Sequence, residues 1–357
     1  MLKARESVRT LPTYHPPLGG RQGLRLDFNE NTVGCSPRVL ERLRHLDFEQ
    51  LARYPEREPL EEHVASFLGV APAELLLTNG VDEAIHLLCE TYLELSDEAV
   101  IVVPTFSMYR IYAAATGAQV LEVPAGVDFS FPVDDVIRHI TPRTRLIAVA
   151  NPNNPTGTVA RPDDLFRIAR AAPQAALLVD EAYFEFYGKT LVGAWGDCPN
   201  LFIARTFSKA YGLAGLRIGV LLGKADQILA VRRVSSPYNV NAVALACLPD
   251  ALDDQDYIRR YVGEVCAGRD RLENAYASAA IPYWPSHANF VLARIGSPQF
   301  MSLMRQRGIL VRDRSSDYGC DGCVRITLGP REHTERMLAA LHETLEALGL
   351  AQGATQS

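Results

Sequence analysis

The chain reads as an α/β protein followed by a smaller α+β domain, and three observations predict this. Short, continuously apolar runs alternate with helical patterns over the first two thirds of the sequence. Five of those runs end in compact polar clusters, and after about Pro237 the alternation gives way to a long helical stretch and a separate group of strands. Uninterrupted apolar strands divided by helices mark a sheet covered on both faces. With 357 residues, 48% of them hydrophobic, there is material for one large core and one small one.

The elements follow in order. The stretch to about Arg25 is rich in Pro, Gly and Arg and reads as an extended arm. LRLDFNENT suits a short strand and turn. SPRVLERLRHL opens a helix with Ser36 as N-cap and Pro37 in the first helical position, where its missing N–H does no harm. The strand candidates are ELLLT (74–78), AVIVV (99–103), AQVLEV (118–123), RLIAVA (145–150), AALLVD (175–180), NLFIA (200–204) and RIGVLLG (217–223). Helix candidates between them include VDEAIHLLCETYLEL and RPDDLFRIARAA. Beyond Pro237 a long helical region leads to NFVLARI, GILVRDR and CVRITLG, with a helix between the first two. HTERMLAALHETLEALGL closes the fold, its apolar positions 337, 338, 341, 345 and 348 on one helical face and Gly349 as its stop. The expected division is an arm and part of the small domain over 1–42, a large domain over 43–240, the small domain over 241–350 and a tail over 351–357.

Composition excludes several classes. A formal charge of −6 without a long basic run argues against nucleic acid or an anionic membrane as partner. No apolar stretch approaches the ~20 residues of a membrane span, and the N-terminus shows no secretory h-region. Seven scattered cysteines, an odd number, suit reduced thiols in a cytoplasmic protein. The lone CDGC (Cys320, Cys323) reads as an ordinary loop, no histidine spacing suggests a metal site, and neither GKT nor GLAGLRIG meets the requirements of a nucleotide-binding loop.

In open α/β sheets ligands gather beyond the carboxyl ends of the strands, and the polar clusters fall there: TNGVDEA, PTFSMY, NPNNPTG, DEAY and RTFSKAYG. Gly80, Val81 and Asp82 open a helix whose free N–H groups can hold an anion. Thr206 and Ser208 add hydroxyls and Arg217 a full charge, which suits a phosphate. Asp180, at the mouth of a very apolar strand, demands a cation, which a protonated ring nitrogen supplies. Tyr183 and Asn154 can hydrogen-bond a ring oxygen, and Tyr109 can stack on the ring. Lys209, among small neighbours, offers the amine for a Schiff base. Phosphate, nitrogen heterocycle and aldehyde together describe pyridoxal 5′-phosphate. Adjacent Asp180 and Glu181 point to opposite strand faces, so they are not a glycosidase pair; Glu181 reads as a structural anion.

These motifs, in this order and with ARYPE, PYNVN, ANFVL and VRITLG, resemble the fold-type I aminotransferases, and within them the histidinol-phosphate aminotransferases, over nearly the whole length. The resemblance implies a large domain with a mostly parallel seven-stranded sheet, pyridoxal 5′-phosphate as cofactor, and Lys209, Asp180 and Tyr183 as catalytic residues. It implies transamination of L-histidinol phosphate with 2-oxoglutarate, giving imidazole acetol phosphate and glutamate in histidine biosynthesis. An aromatic amino acid aminotransferase and a threonine-phosphate decarboxylase remain as alternatives. It further implies a homodimer with shared sites, in which Tyr54 reaches the partner's cofactor phosphate, and substrate contacts from Tyr14, Asn29, Arg312 and Arg325. Thr32 and Cys35 stand where the family usually has prolines, beside Asn29 and Glu30, which bears on substrate choice.

Overall fold

The computed structural model describes residues 2–13, 15, 20 and 22–350; Tyr14 and the tail 351–357 lie outside the described residues. After a two-residue strand β1 (Leu24–Arg25), all seven apolar runs form one sheet: β2 (Leu75–Thr78), β3 (Glu98–Val103), β4 (Gln119–Pro124), β5 (Thr144–Ala150), β6 (Ala176–Asp180), β7 (Leu201–Thr206) and β8 (Gly219–Gly223). Their order is β2-β8-β7-β6-β5-β3-β4. All neighbours run parallel except β8, which opposes both β7 and β2. The link from β7 to β8 has no long crossover helix to carry the chain back, so β8 returns antiparallel.

Continuous apolarity in these strands has a direct cause: alternate residues feed two different cores. Leu75 and Leu77, Leu177 and Val179, and Val220 and Leu222 enter one apolar cluster. Leu76, Leu178 and Leu221 enter the other, on the opposite face of the sheet. In these inner strands neither face meets water, so neither tolerates a polar alternation; the edge strand β4 differs, with Gln119, Glu122 and Pro124 exposed.

The second group of strands is β9 (Tyr283–Trp284), β10 (Phe290–Arg294), β11 (Ile309–Leu310), β12 (Arg312–Asp313) and β13 (Cys323–Thr327). Four of them form an antiparallel sheet in the order β12-β13-β10-β9. Strand β11 instead pairs in parallel with β1, so the chain's N-terminal segment is stitched to its C-terminal part. The closing helix Arg331–Ala347 buries Met337, Leu341 and Leu345, and these join the same apolar cluster as the inward residues of β2 and β6.

Local signals explain several boundaries. Ser36 caps the helix Pro37–Arg44 by accepting from the Arg38 N–H. The long helical region is two helices, Ala242–Asp253 and Gln255–Ser278, broken at Asp254, whose side chain caps the second. Three departures from expectation stand out. The arm, read as extended, contains a short helix Glu6–Arg9. GILVRDR is not one strand: Ile309–Leu310 and Arg312–Asp313 pair with different partners. Arg217 precedes β8 and does not belong to it. At φ +54° its backbone is left-handed, which ends the extended run and turns the guanidinium over Gly80.

Candidate active site

Strands β2, β5, β6 and β7 all deliver their carboxyl ends to one side of the sheet, where a cavity of about 220 Å³ opens. Asp180 is the last residue of β6 and Thr206 the last of β7. The helix Gly80–Tyr92 starts directly after β2 and points its N-terminus at the same place. Lys209, Ser208 and Arg217 come from the segment joining β7 to β8, and Asn154 from the loop after β5; all line the cavity. Tyr183 lines it as well, with Val81 and Asp82 at the helix end.

Charge at the cavity is set by enclosure. Asp180, 5% exposed, accepts from the Tyr109 hydroxyl at 2.6 Å and the Ala182 N–H at 2.9 Å. Both donors are neutral, and burial, reinforced by Asp82, pushes the carboxyl up to about 6. The Lys209 amine donates to the Phe28 carbonyl at 3.3 Å. Burial first, then the positive charge of Arg325, pulls it down to about 8. Arg217 bonds Asp82 at 3.0 Å and lies so close to Gly80 that an added Cβ there would sit 2.6 Å from the guanidinium. Only glycine, which also tolerates the local φ of +75°, permits this approach.

Arg325, on β13, is 5% exposed and reaches across from the small sheet. It donates to the Asn154 side chain and, at 2.7 Å, to the Asp27 carbonyl. Burial and the neighbouring Arg314 and Arg312 pull its guanidinium down to about 9. Arg312 stacks on Phe28, which lines the cavity, at 5.3 Å from the ring centre.

Some candidates take other places. Tyr109, expected to stack, does line the cavity, is 1% exposed and donates its hydroxyl to Asp180; a second aromatic ring, Phe106, lines the cavity beside it. PTFSMY contains both aromatics, and the motif alone does not say which one faces the ligand. Asn29, expected to touch substrate, is fully enclosed behind Tyr183. Its amide donates to the Tyr183 hydroxyl at 2.9 Å, and its carbonyl oxygen accepts from Thr327. Tyr54 does not enter this cavity. It is 77% exposed and stacks on Tyr238 at 4.2 Å, beside a different cleft. Thr32 turns away from the cavity to His333, 2.8 Å off, in the closing helix. Glu181 faces opposite to Asp180 and accepts from Arg205 Nε and Nη2, at 3.0 and 2.9 Å. Tyr14 lies outside the described residues. Among those residues no group of three or more His, Cys, Asp or Glu side chains converges as a metal site, and no helix is long and apolar enough to cross a membrane.

The residues present fit pyridoxal 5′-phosphate. Asp180 is a buried carboxylate bonded only to neutral donors, suited to a ring N–H⁺. The helix N-terminus at Gly80 with Thr206, Ser208 and Arg217 suits a phosphate. Lys209 is an amine held near neutrality, as an aldehyde requires. A mostly parallel sheet with this amine and this carboxylate at its strand ends defines a fold-type I pyridoxal-phosphate transferase.

Comparison narrows the class. The chain belongs to the aminotransferase class I and II family, whose sequence pattern matches residues 21–341. It is 35% identical over 365 residues to the histidinol-phosphate aminotransferase of Geobacillus sp. (strain WCH70), covering 97% of this chain and 99% of that one. Identity to the histidinol-phosphate aminotransferase of Paracoccus denitrificans (strain Pd 1222) is 38% over 322 residues, covering 88% and 87%. The crystal structure of histidinol-phosphate aminotransferase from Sinorhizobium meliloti, in complex with pyridoxal-5′-phosphate, superposes with a TM-score of 0.87. The two are 25% identical, over 98% of this chain and 99% of that one.

Proposed function

We propose that this protein transaminates L-histidinol phosphate with 2-oxoglutarate, giving imidazole acetol phosphate and glutamate. The observation that carries the reading is one cavity lined by Lys209 and Asp180, with the buried cation Arg325 behind it, bonded to the Asn154 side chain that lines it. Pyridoxal 5′-phosphate, when bound, supplies an aldehyde for the amine and a ring that accepts electrons. Asp180 keeps a proton on the ring nitrogen, Tyr183 and Asn154 fix the ring oxygen, and Phe106 covers the ring face. The Gly80–Asp82 amides, Thr206, Ser208 and Arg217 hold the phosphate. Lys209, its free amine near 8, takes the proton from the carbon that bears the donor's nitrogen. Arg325 and Arg312 bind the donor's anionic group, and Tyr14 is assigned to the same role.

The large unit, 43–240, carries the cofactor, while 1–42 and 241–350 supply the substrate wall. Tyr54 serves a partner subunit in a homodimer with shared sites, a role its exposure supports. Seven free thiols support a cytoplasmic setting.

The test is direct. Borohydride treatment of the yellow holoprotein labels Lys209 with a pyridoxyl group. L-histidinol phosphate bleaches the colour and 2-oxoglutarate restores it, whereas phenylalanine and threonine phosphate leave it largely unchanged. Carbon dioxide release from threonine phosphate, or equal bleaching by phenylalanine, overturns the assignment.

A further inference from the structure

Behind Asn154, a residue of the cavity wall bonded to Arg325, the small sheet carries a third guanidinium that the motifs do not assign. Arg312 and Arg325 are direct partners across β12 and β13, and the Arg314 N–H continues the ladder to the Cys323 carbonyl at 3.0 Å. Directly paired residues share a face, and so do residues two apart. Arg312, Arg314 and Arg325 therefore stand on one side of this sheet. Two of them mark that side as the cavity side, through Asn154 and Phe28. Arg314 is also close enough to act electrostatically on Tyr183 and Arg325.

Arg314 has a built-in counter-ion. The Asp317 N–H closes a turn onto the Arg314 carbonyl at 2.9 Å, which brings the carboxylate onto the guanidinium. The pair is mostly withdrawn from water, with side chains 15% and 23% exposed. Even so, the buried Arg314 Nε has no hydrogen-bond partner among the described residues, and neither do Arg325 Nε and Arg312 Nη1. Three buried donors on one face, each lacking an acceptor, call for an anion richer in oxygens than a carboxylate.

We propose that Arg314 is a specificity-determining residue of the site, and Asp317 its positioning residue: a dianionic phosphate on the amino donor takes Arg314 over from Asp317, and a single carboxylate does not. The inference rests on the reading that this wall receives the donor's anion. A phosphate monoester brings nearly two charges and three acceptor oxygens, enough to replace a one-charge internal partner. A carboxylate only matches what Asp317 already gives. The pair thus separates the phosphorylated donor from glutamate, while Arg312 and Arg325 serve both.

The experiment uses holoenzyme carrying Arg314→Gln, Arg314→Lys or Asp317→Asn. Three quantities are read: KM and kcat for L-histidinol phosphate, the rate of the glutamate half-reaction, and inhibition of that half-reaction by inorganic phosphate. Arg314→Gln raises the donor KM and the phosphate inhibition constant by about tenfold to hundredfold, leaving kcat and the glutamate half-reaction within about twofold. Arg314→Lys, a point charge without the fork, recovers part of the loss and stands in for the Gln variant if that one does not fold. Asp317→Asn lowers the KM for glutamate, because the freed guanidinium now accepts a single carboxylate. In the wild type the donor KM rises as pH falls through the substrate's second phosphate ionisation near ~6; in Arg314→Gln that rise is flattened. Equal losses for both substrates, or an unchanged donor KM and phosphate inhibition constant, overturn the proposal. A wild type that ignores L-histidinol phosphate but loses phosphate inhibition with Arg314→Gln keeps this subsite and refutes the proposed function.

Discussion

Asp180 offers the sharpest quantitative test, because its carboxylate is costly until the cofactor arrives. Burial raises it from 3.8 to about 6 in the cofactor-free protein. A carboxylate raised on folding binds its proton more tightly in the folded chain, so folding is favoured below the unfolded value and weakens as pH climbs toward the folded one. About two pKa units, at 1.36 kcal/mol each, make this penalty about 3 kcal/mol once pH exceeds about 6. Asp180→Asn removes the titrating group while keeping its size. In urea unfolding of cofactor-free protein, the variant should therefore exceed the wild type by about 3 kcal/mol at pH 8, with the gap shrinking toward zero near pH 4. Comparing the two proteins cancels every other titration they share. Saturating pyridoxal 5′-phosphate should close or reverse the gap at pH 8, since the ring N–H⁺ then compensates the carboxylate. A difference that does not change between pH 4 and pH 8 refutes the reasoning.

Two further outcomes follow from the geometry. Gly80→Ala places a Cβ 2.6 Å from the Arg217 guanidinium at a φ of +75°; titration should show cofactor affinity down about tenfold or more, with ~1–2 kcal/mol lost in urea unfolding. Tyr54→Ala and Lys209→Ala, each inactive alone, should regain roughly a quarter of wild-type activity when mixed as hybrid dimers, because one site then has both groups intact; no recovery on mixing would place Tyr54 outside a shared site.

The large sheet was legible because its strands report their own environment. Leu75 to Leu77 or Ala176 to Val179 are apolar at every position, and only burial on both faces permits that. Where such a strand ends in a polar residue, the sheet must end too, so DEAY and RTFSK announce the cavity side without reference to any neighbour. The chemistry of Lys209 and Asp180 was readable for the same reason: each stands at the tip of its own strand, or just beyond it. What the chain alone leaves undetermined depends on contacts far apart in sequence. Tyr109 meets Asp180 across 71 residues and Asn29 meets Tyr183 across 154, and no local pattern encodes which partner a phenol or an amide will find. Alternation in VRDR places Arg312 and Arg314 on one face, but only the pairing of Arg312 with Arg325 turns that face toward the cavity. Periodicity is a property of a segment and survives in the sequence; register and domain packing are relations between segments, and tertiary structure alone decides them.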